Sequence, residues 1–464
     1  MAKAPVRAVD SAVLRAIPSV ERILSAAALA PLIAEFGRER VKGAIVEHLA
    51  ALRATRTAYE ERDAIAAISE SLSIATRSTL RRAINGTGIL IHTNLGRAPI
   101  DAAVWSEAAE IVAGYSNLEF DLGSGERGAR DEHLSSLCRA VFGCEAAILT
   151  NNNAAGTMLL LAAVAAKKEV IVSRGELVEI GGSFRVPDVI QQGGAKLREV
   201  GTTNRTRAKD YADAISRKTA AILRVHRSNF DIVGFTATPK IGELTAITRA
   251  KKLPLLYDEG SGCVVDLHRY GFAPKSTVAE LIAEGVDVVT CSTDKLLGAT
   301  QGGLILGRED LIEQCRRHPL MRALRVGKET YAVVAATLRA FATGKYEERV
   351  PIYRMLATPL EVLRARGEMV IAGTRCRIVG SRCALGGGTT PAETIPSLAV
   401  EVPGDASALH ARFLANSPPI VGRIHEERFT IDLRTVLETE LTTLRAAVNQ
   451  PETRNQKPEG PVGN

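Results

Sequence analysis

The sequence is poor in the features that would place a chain in a membrane or in an oxidising compartment. Its longest uncharged apolar stretch runs only from Met158 to Ala166, and a membrane-spanning helix needs roughly 20 such residues. Residues 1–20 contain no continuous apolar segment after their basic residues, so we expect no secretory signal peptide. The seven cysteines are scattered singly, without a Cys-x-x-Cys pair. We therefore expect reduced thiols and a cytoplasmic location.

The patterns of metal-binding and repeat proteins are missing as well. The eight histidines are isolated, with no His-x-x-x-His pair, so no metal site is predicted. No internal repeat is present. Aromatic residues make up 4% of the chain and form no aromatic-rich RNA-binding motif. The net charge of +7 favours an anionic partner, although arginine-rich enzymes that bind no nucleic acid are equally basic.

Residues 1–84 differ in composition from the rest of the 464-residue chain. They contain few glycines, and their apolar residues recur at helical spacing, which predicts a small helical domain followed by a linker. The residues that carry this pattern are Ile33, Phe36, Val41, Ile45, Leu49, Ile65, Ile68, Leu72 and Ile74. The segment holds 13 basic and 9 acidic residues, a surplus of four positive charges. Such a domain could dock an anionic partner or form an ordinary solvated cap.

From residue 85 to 350, short apolar runs alternate with amphipathic segments. Strands are predicted at residues 146–149, 169–172, 220–225, 255–257 and 286–290. Strands separated by helices predict an α/β domain with a mostly parallel sheet covered on both faces.

After Pro351 the pattern becomes that of a smaller α+β region, spanning residues 351–450. We expect strands near residues 376–379 and 397–402, and helices near 406–415 and 437–448. Residues 451–464 are polar and rich in proline and glycine, so we expect a disordered tail.

Lys295 carries the strongest chemical signal in the sequence. It lies in the segment CSTDKLLG, at residues 291–298, between two apolar runs that are predicted strands. A lysine in a polar turn at the end of a sheet can present its amine to a carbonyl cofactor, which suggests pyridoxal 5'-phosphate (PLP). Taken alone, Lys295 could equally be a solvated loop residue.

Asp258 ends the apolar run at residues 255–257 and precedes two glycines. Ligand sites of α/β sheets open at the carboxyl ends of strands, so Asp258 could face the pyridine nitrogen of PLP and keep it protonated. Alone, the residue could merely cap a turn. The combination of Asp258 with Lys295 favours the cofactor site.

A phosphate-binding segment is predicted at residues 150–156, which read TNNNAAG. Asn152, Asn153 and Ala154 lie between a predicted strand and a helix predicted at residues 157–166. Small and amide residues at a helix start expose backbone N–H groups to an anion. An asparagine-rich turn with a helix cap is the alternative.

Long motifs of the chain closely resemble those of bacterial selenocysteine synthases, the L-seryl-tRNA(Sec) selenium transferases. They are INGTGILIHTNLGRAP at 84–99, GELVEIGGSFR at 175–185, DEGSG at 258–262, STDKLLG at 292–298, GGGT at 386–389, IPS at 395–397, GRI at 422–424 and DLRT at 432–435. The segment LRAIPSVERIL at residues 14–24 resembles that family's amino-terminal signature. The resemblance covers about residues 10 to 448.

This resemblance implies a fold-type-I PLP enzyme, similar to aspartate aminotransferase, with the helical amino-terminal domain and the carboxyl-terminal α+β domain added. In the family, the seryl group on tRNA(Sec) becomes a PLP-bound aminoacrylate, which selenium from selenophosphate attacks. The family assembles as a homodecamer, a pentamer of dimers. Thr202, Thr203 and Asp210 fall in a stretch that looks like its contact region between dimers.

The resemblance also assigns roles to individual residues. It places the cofactor on Lys295, adds Ser292 to the cofactor-binding residues and makes Arg97, Arg322 and Arg325 the arginines that bind the anionic selenium donor. Arg322 and Arg325 are three positions apart, so they would share a face if the segment is helical. Planar guanidinium groups suit a tetrahedral oxyanion, although solvated surface arginines would show the same spacing.

Glu259 departs from the family, in which an apolar residue is expected at this position. A second carboxylate beside Asp258 could face solvent harmlessly or perturb the electrostatics of the cofactor.

Two other functions remain open at this level. One is a PLP-dependent lyase of the same superfamily that acts on a free small amino acid or a sugar-phosphate amine; such relatives commonly lack a helical amino-terminal domain. The other is a catalytically silent RNA-binding protein on the same scaffold. The basic helical segment at residues 1–84 favours the tRNA-dependent transferase, because structured RNA is recognised through shape and backbone.

Overall fold

The computed structural model describes residues 16–180, 184–273, 275–389 and 393–450. The chain divides into two compact units whose boundary in the sequence lies between Arg82 and Ala83. The disordered tail expected at residues 451–464 lies outside the described residues. So do the first two residues of the motif at 14–24 and residues 181–183 of the motif at 175–185.

The first unit is helical. Its helices are α1 (Val20–Leu24), α2 (Ala30–Phe36), α3 (Arg38–Thr55) and α4 (Glu61–Thr76). Gly37 separates α2 from α3. Its φ of +82° is a backbone conformation that glycine adopts readily and other residues rarely do. Val41, Ile45, Leu49, Ile68 and Leu72 form the buried face. Ile74 lies in the last turn of α4, as the helical spacing predicts, but its side chain is exposed.

The second unit contains all the strands of the described residues. They are β1 (Ile84–Asn85), β2 (Ala146–Thr150), β3 (Glu169–Ser173), β4 (Glu179–Ile180), β5 (Phe184–Arg185), β6 (Lys196–Val200), β7 (Thr219–Val225), β8 (Leu255–Asp258), β9 (Val288–Ser292), β10 (Gly303–Gly307), β11 (Arg377–Ala384), β12 (Thr394–Val402), β13 (Ile420–Val421), β14 (Arg423–His425) and β15 (Arg428–Asp432).

Fifteen further α-helices are present in the described part of this unit. They are α5 (Ala102–Ala113), α6 (Glu132–Phe142), α7 (Asn153–Val164), α8 (Val186–Gln192), α9 (Ala208–Ala214), α10 (Ile241–Lys251), α11 (Val278–Ala283), α12 (Glu309–Arg317), α13 (Leu320–Leu324), α14 (Lys328–Ala342), α15 (Tyr346–Arg349), α16 (Pro351–Ala357), α17 (Leu360–Ile371), α18 (Ala406–Leu414) and α19 (Leu441–Asn449). None of the described helices has the length and apolarity needed to cross a bilayer.

The central sheet has seven strands in the order β2-β10-β9-β8-β7-β3-β6. All neighbours pair in parallel except β10, which runs antiparallel to both β9 and β2. Separate apolar clusters cover its two faces. The predicted α/β class with a mostly parallel sheet is therefore confirmed. The prediction missed β6, whose charged sequence KLREV lies at the edge of the sheet and is partly exposed.

The carboxyl-terminal region forms a four-stranded antiparallel sheet in the order β11-β12-β15-β14. Apolar residues of the sheet pack with those of α17, α18 and α19, including Leu363, Phe413, Phe429 and Leu444. The sequence had predicted β11, β12, α18 and α19 near their observed positions. It had missed β14 and β15, because these short strands contain charged residues.

The arrangement of the central sheet brings three strand ends together. β7, β8 and β9 are parallel neighbours, so the residues at or after their carboxyl ends, His226, Asp258 and Ser292, lie at the same edge. The amino-terminal end of α7 reaches this edge as well, since Asn153 bonds Asp258. The candidate site lies here.

Candidate active site

Lys295 lies in the turn that joins β9 to β10. Its Nζ donates to the carbonyl oxygen of Gly260 over 3.0 Å and lies 3.4 Å from the carbonyl oxygen of Gly388. Burial lowers the pKa of the Lys295 amine below its usual value, although the nearby carboxylates of Asp294 and Glu259 oppose this effect. A larger neutral fraction makes the amine a better nucleophile toward a carbonyl.

Asp258 ends β8 and is held by two side chains from α7. Asn153 Nδ2 donates to its Oδ1 over 2.7 Å, and Thr157 Oγ1 donates to its Oδ2 over 3.3 Å. Burial raises the pKa of Asp258 to about 6, against the lowering effect of Asn153 and of Lys295. The carboxylate therefore keeps its charge at neutral pH and would gain from a cationic partner.

The segment predicted to hold a phosphate forms the start of α7. The helix begins at Asn153, four residues earlier than predicted, because Asn152 is its N-cap and accepts from the N–H of Ala155 over 2.9 Å. Asn153 and Ala154 thus lie in the first helical turn, where backbone N–H groups have no partner within the helix. The side chain of Asn153 is directed to Asp258, a contact that the sequence did not predict.

Ser292, the last residue of β9, is buried and lies three positions before Lys295. Its carbonyl oxygen approaches Gly262 so closely that a Cβ atom at Gly262 would collide with it. The glycines of the DEGSG segment therefore allow this segment to pack against the end of β9.

Arg97 reaches the residue that precedes Lys295. Its guanidinium forms an ion pair with the Asp294 carboxylate, and the N–H of Ala98 donates to the Asp294 carbonyl oxygen over 3.2 Å. Arg97 has φ of +65° and follows Gly96 with φ of +87°, so the Asn-Leu-Gly turn aims the arginine at the site. Sequence reasoning had not identified Asp294, although its position beside Lys295 was the available signal.

Arg322 and Arg325 line a cavity to which neither Arg97 nor Lys295 contributes. It has a volume of about 300 Å³ and is also lined by Arg316, Arg317 and His318. α13 ends at Leu324, and Arg325 is extended, so the expectation that both arginines share a helix face is wrong. Their segment still contacts the start of the predicted phosphate-binding segment, because the N–H of Asn151 donates to the carbonyl oxygen of Leu324 over 2.9 Å.

The two arginines of this cavity have different surroundings. Arg325 lies 3.4 Å from Glu119, which also pairs with Arg130 over 2.6 Å and Arg127 over 3.2 Å. Arg322 is exposed and forms no ion pair with the described residues. Within the described part of the chain, no hydrogen bond or ion pair joins Arg322 or Arg325 to Arg97 or Lys295. A single chain thus presents two groups of arginines.

His226 belongs to the site and was missed by the sequence analysis. It follows β7, and its backbone N–H donates to the carbonyl oxygen of Asp258 over 2.9 Å. Its Nε2 lies 3.2 Å from the carbonyl oxygen of Thr389, which makes Nε2 the protonated nitrogen. Burial, and then the positive charge of Lys275, lower the pKa of His226 to about 4. The imidazole is therefore neutral at pH 7, but no motif in the sequence distinguishes it.

Glu259 does not face solvent, as one of the two sequence-based alternatives had allowed. Its side chain is buried and accepts from the backbone N–H groups of Ser261, Gly262 and Cys263 over 3.1, 2.6 and 3.3 Å. Lys275 Nζ lies 3.7 Å away. The Glu259 carboxylate is therefore a buried, hydrogen-bonded component of the site.

Thr202 and Thr203 are exposed, and Asp210 accepts from the N–H of Arg207 over 2.7 Å at the start of α9. Asp210 thus has a capping role within this chain, and the expected contact between dimers stays a prediction.

Two family models match the chain. The model described as L-seryl-tRNA selenium transferase matches residues 83–437, and the model described as selenocysteine synthase N terminal matches residues 14–53. The first of these matches begins at residue 83, which is also the first residue of the second structural unit.

Curated relatives match over nearly the whole chain. The L-seryl-tRNA(Sec) selenium transferase of Geobacter sulfurreducens is 44% identical over 453 residues, with 94% of this chain and 98% of the relative covered. The protein of the same name from Hyphomonas neptunium is 42% identical over 455 residues, with the same coverage.

A solved structure of D-glucosaminate-6-phosphate ammonia-lyase shares the fold. It superposes with a TM-score of 0.60 at 22% sequence identity and covers 81% of this chain and 96% of its own. This likeness concerns the fold alone.

Proposed function

The chain belongs to the L-seryl-tRNA selenium transferase family, and we propose that the site around Lys295 and Asp258 converts seryl-tRNA(Sec) to selenocysteyl-tRNA(Sec). The observation that carries this proposal is the hydrogen bond that the Lys295 amine donates to the Gly260 carbonyl oxygen over 3.0 Å. Gly260 belongs to the turn that begins with Asp258. An amine nucleophile and a buried carboxylate are thus joined at one edge of the sheet.

The site fits PLP as the cofactor. Asn153 Oδ1 is buried and has no partner among the described residues, and the Asp258 carboxylate lies beside it. Gly388 lines the space around Lys295, since a Cβ atom there would lie 2.6 Å from Nζ. When bound, PLP supplies a carbonyl for the seryl amine and a ring that withdraws electrons from the α-carbon.

The residues of the chain have distinct tasks in this proposal. Lys295 would hold the cofactor through Nζ and, once the seryl amine displaces it, accept the α-proton at the same atom. Asp258 would face the ring nitrogen and favour its protonated form. The N–H groups of Asn153 and Ala154, behind the N-cap Asn152, would bind the phosphate, and Ser292 would complete the cofactor-binding set.

Selenophosphate is the proposed selenium donor. Arg97 would contact this anion next to Lys295, and Arg322 and Arg325 would extend the cationic surface. Guanidinium groups form charge-assisted, often bidentate bonds with phosphate oxygens. Support for a role of Arg97 comes from its ion pair with Asp294, because this contact holds the guanidinium beside the lysine while about a third of the arginine side chain stays exposed.

The first structural unit is the proposed tRNA-docking domain. Arg22, Arg38, Arg40 and Arg53 are exposed on its helices, whereas its apolar residues form a core of their own. Exposed cations on a compact helical domain suit the phosphate backbone of a folded RNA.

We further propose that the protein acts in the cytoplasm as a homo-oligomer, a decamer built from five dimers. The seven cysteines are all free. Trp105, Tyr115, Val233 and Phe235 expose large apolar side chains in the second unit, as surfaces that contact another protein chain commonly do. We also propose the domain limits expected from the sequence, 1–84, 85–350 and 351–450.

An assay of the purified protein with seryl-tRNA(Sec), selenophosphate and PLP tests the proposal. We expect selenocysteyl-tRNA(Sec), and none when PLP has been removed. A protein that instead eliminates ammonia from free serine or an amino-sugar phosphate, and leaves seryl-tRNA(Sec) unchanged, would be a lyase and would contradict the proposal.

A further inference from the structure

Glu259 organises the turn that follows β8. Its Oε2 accepts from three consecutive backbone N–H groups, those of residues 261–263, and its Oε1 is bonded to the Ser261 hydroxyl. Gly260 and Gly262 both have positive φ, +70° and +69°. A turn with two such residues has no regular hydrogen-bond ladder, so the buried carboxylate supplies the acceptors that the turn lacks.

The same turn contacts the Lys295 segment at two points. The carbonyl oxygen of Gly260 accepts from Lys295 Nζ over 3.0 Å, and the carbonyl oxygen of Ser261 accepts from the N–H of Leu296 over 2.9 Å. Both acceptors lie within the four-residue loop closed by the Glu259 carboxylate. Displacement of that carboxylate would therefore move the acceptor of the lysine amine and the anchor of the next residue together.

Lys275 balances the charge of Glu259. Its Nζ lies 3.7 Å from Glu259 Oε1 and donates to Ser261 Oγ over 3.0 Å, and its side chain is largely buried. A buried carboxylate without a partner would be strongly destabilising. Burial alone would raise the pKa of Glu259, but Lys275 and the turn hydrogen bonds outweigh it, so that the pKa is lowered.

We propose that Glu259 and Lys275 form a positioning pair for Lys295, in which the carboxylate holds the turn that receives the lysine amine and Lys275 neutralises that carboxylate. The inference rests on the proposed function, because Lys295 must be the lysine that captures PLP. It gives a role to the residue at which this chain departs from the pattern expected of its family.

The two members of the pair act on the Lys295 amine with opposite signs. Glu259 favours the protonated amine, so its loss leaves Lys275 unbalanced and lowers the pKa of Lys295. Loss of Lys275 leaves a bare carboxylate and raises that pKa. The other charged or titratable groups around the amine are Asp294 and Arg97, Asp258, and His226 at the end of β7. They are the same in all variants compared below.

The experiment measures how fast cofactor-free protein captures added PLP as a function of pH, by absorbance. Capture joins the unprotonated amine to the aldehyde carbon as a C=N bond and releases one water, so the midpoint of the rate profile reports the amine. The variants are Glu259→Gln, Lys275→Met and the double variant. Glu401→Gln is the matched control, because Glu401 is buried and paired with Arg377 and Arg428 in the carboxyl-terminal sheet.

We expect Glu259→Gln to lower the midpoint by about one pH unit and Lys275→Met to raise it by a similar amount. The double variant should return close to the wild-type midpoint but capture PLP roughly tenfold more slowly at its optimum, because glutamine cannot hold the turn as the carboxylate does. Glu401→Gln should leave both quantities unchanged.

Equal midpoints and rates in all variants, or shifts of the same sign in both single variants, would overturn the inference. If Glu259→Gln does not fold, as judged by circular dichroism, Lys275→Met and the double variant decide in the same way: Lys275→Met must raise the midpoint and the double variant must reverse the rise. Capture of PLP by Lys295→Ala at the wild-type rate would refute the proposed function instead, so the two failures are distinguishable.

Discussion

Asn153 donates its side-chain amide to Asp258 Oδ1 over 2.7 Å and thereby joins the first turn of α7 to the carboxyl end of β8. This one hydrogen bond thus connects the segment proposed to bind the phosphate of PLP with the carboxylate proposed to face its ring. The two residues lie 105 positions apart in the sequence, so the sheet topology creates this contact.

Substitution of Asn153 by alanine should weaken PLP binding. The lost hydrogen bond favours the charged form of Asp258, so its pKa should rise above about 6, and less of the carboxylate would be ionised at pH 7. We expect the Kd for PLP to increase about 10- to 150-fold, since a hydrogen bond to a charged group contributes about 1.5–3 kcal/mol. Equilibrium titration of cofactor-free protein with PLP measures the change, and an unaltered Kd would refute the role of Asn153.

The stability of the cofactor-free protein should depend on pH through Asp258. Its pKa is raised from 3.8 to about 6 by burial, so the folded protein binds a proton more tightly than the unfolded chain. This contribution is present in full below the unfolded pKa and is lost as pH rises through about 6. Relative to Asp258→Asn, the wild type should lose roughly 3 kcal/mol of unfolding free energy between pH 3 and pH 7. Denaturant titrations at each pH test the sign.

Arg97→Ala should slow selenium transfer by roughly 10- to 150-fold, because charge-assisted bonds to an oxyanion contribute about 1.5–3 kcal/mol. Arg97→Lys should restore only part of the rate, since the ammonium lacks the bidentate fork. Arg322→Ala and Arg325→Ala should have effects in the same range, whereas Arg317→Ala, in the same cavity but paired with Glu313 over 2.6 Å, should change little. The rates are measured at subsaturating selenophosphate. Wild-type transfer in the Arg97, Arg322 and Arg325 variants would contradict the proposed donor site.

Removal of residues 1–82 should separate tRNA binding from cofactor binding. The boundary between the units lies after Arg82, so the catalytic unit should still bind PLP with its characteristic absorbance. Its affinity for tRNA should fall strongly. Binding by the full chain should weaken as salt is added, because phosphate contacts release counterions. Unchanged tRNA affinity in the shortened protein would refute the docking role.

The buried pair of Glu176 and Arg224 should be important for stability. Arg224 Nε donates to Glu176 Oε1 over 2.7 Å, and both side chains are less than a tenth exposed. Glu176→Gln should reduce the unfolding free energy by about 3–5 kcal/mol, because it leaves a buried arginine without its counter-charge. Asp213→Asn, which removes an exposed ion pair with Lys209, serves as the control and should unfold at the wild-type denaturant concentration.

Much of the fold and the two central residues of the site could be predicted from the sequence. β9 and β10 are entirely buried and mostly apolar, so the polar turn between them, which contains Lys295, was recognisable. Asp258 was recognisable in the same way. The edge strand β6 was not, because it is partly exposed, carries charged residues and lacks the apolar signature.

The remaining parts of the site depend on contacts between distant segments. The ion pair of Arg97 with Asp294 joins positions 197 residues apart, and His226 reaches Thr389 across 163 residues. Thr157 lies inside a helix whose sequence gives no sign that it bonds Asp258. The extended backbone of Arg325 was missed because the residue spacing alone does not determine where a short helix ends.

Locating the lysine that carries PLP tests the proposed function most directly. The holoprotein is reduced with borohydride, digested and mapped by mass spectrometry, with Lys295→Ala as the comparison. We expect a pyridoxyl group on the peptide that contains Lys295, and no adduct and no selenocysteyl-tRNA(Sec) from the folded alanine variant. A pyridoxyl group on Lys275 or any other lysine, or full turnover by Lys295→Ala, would contradict the proposed function.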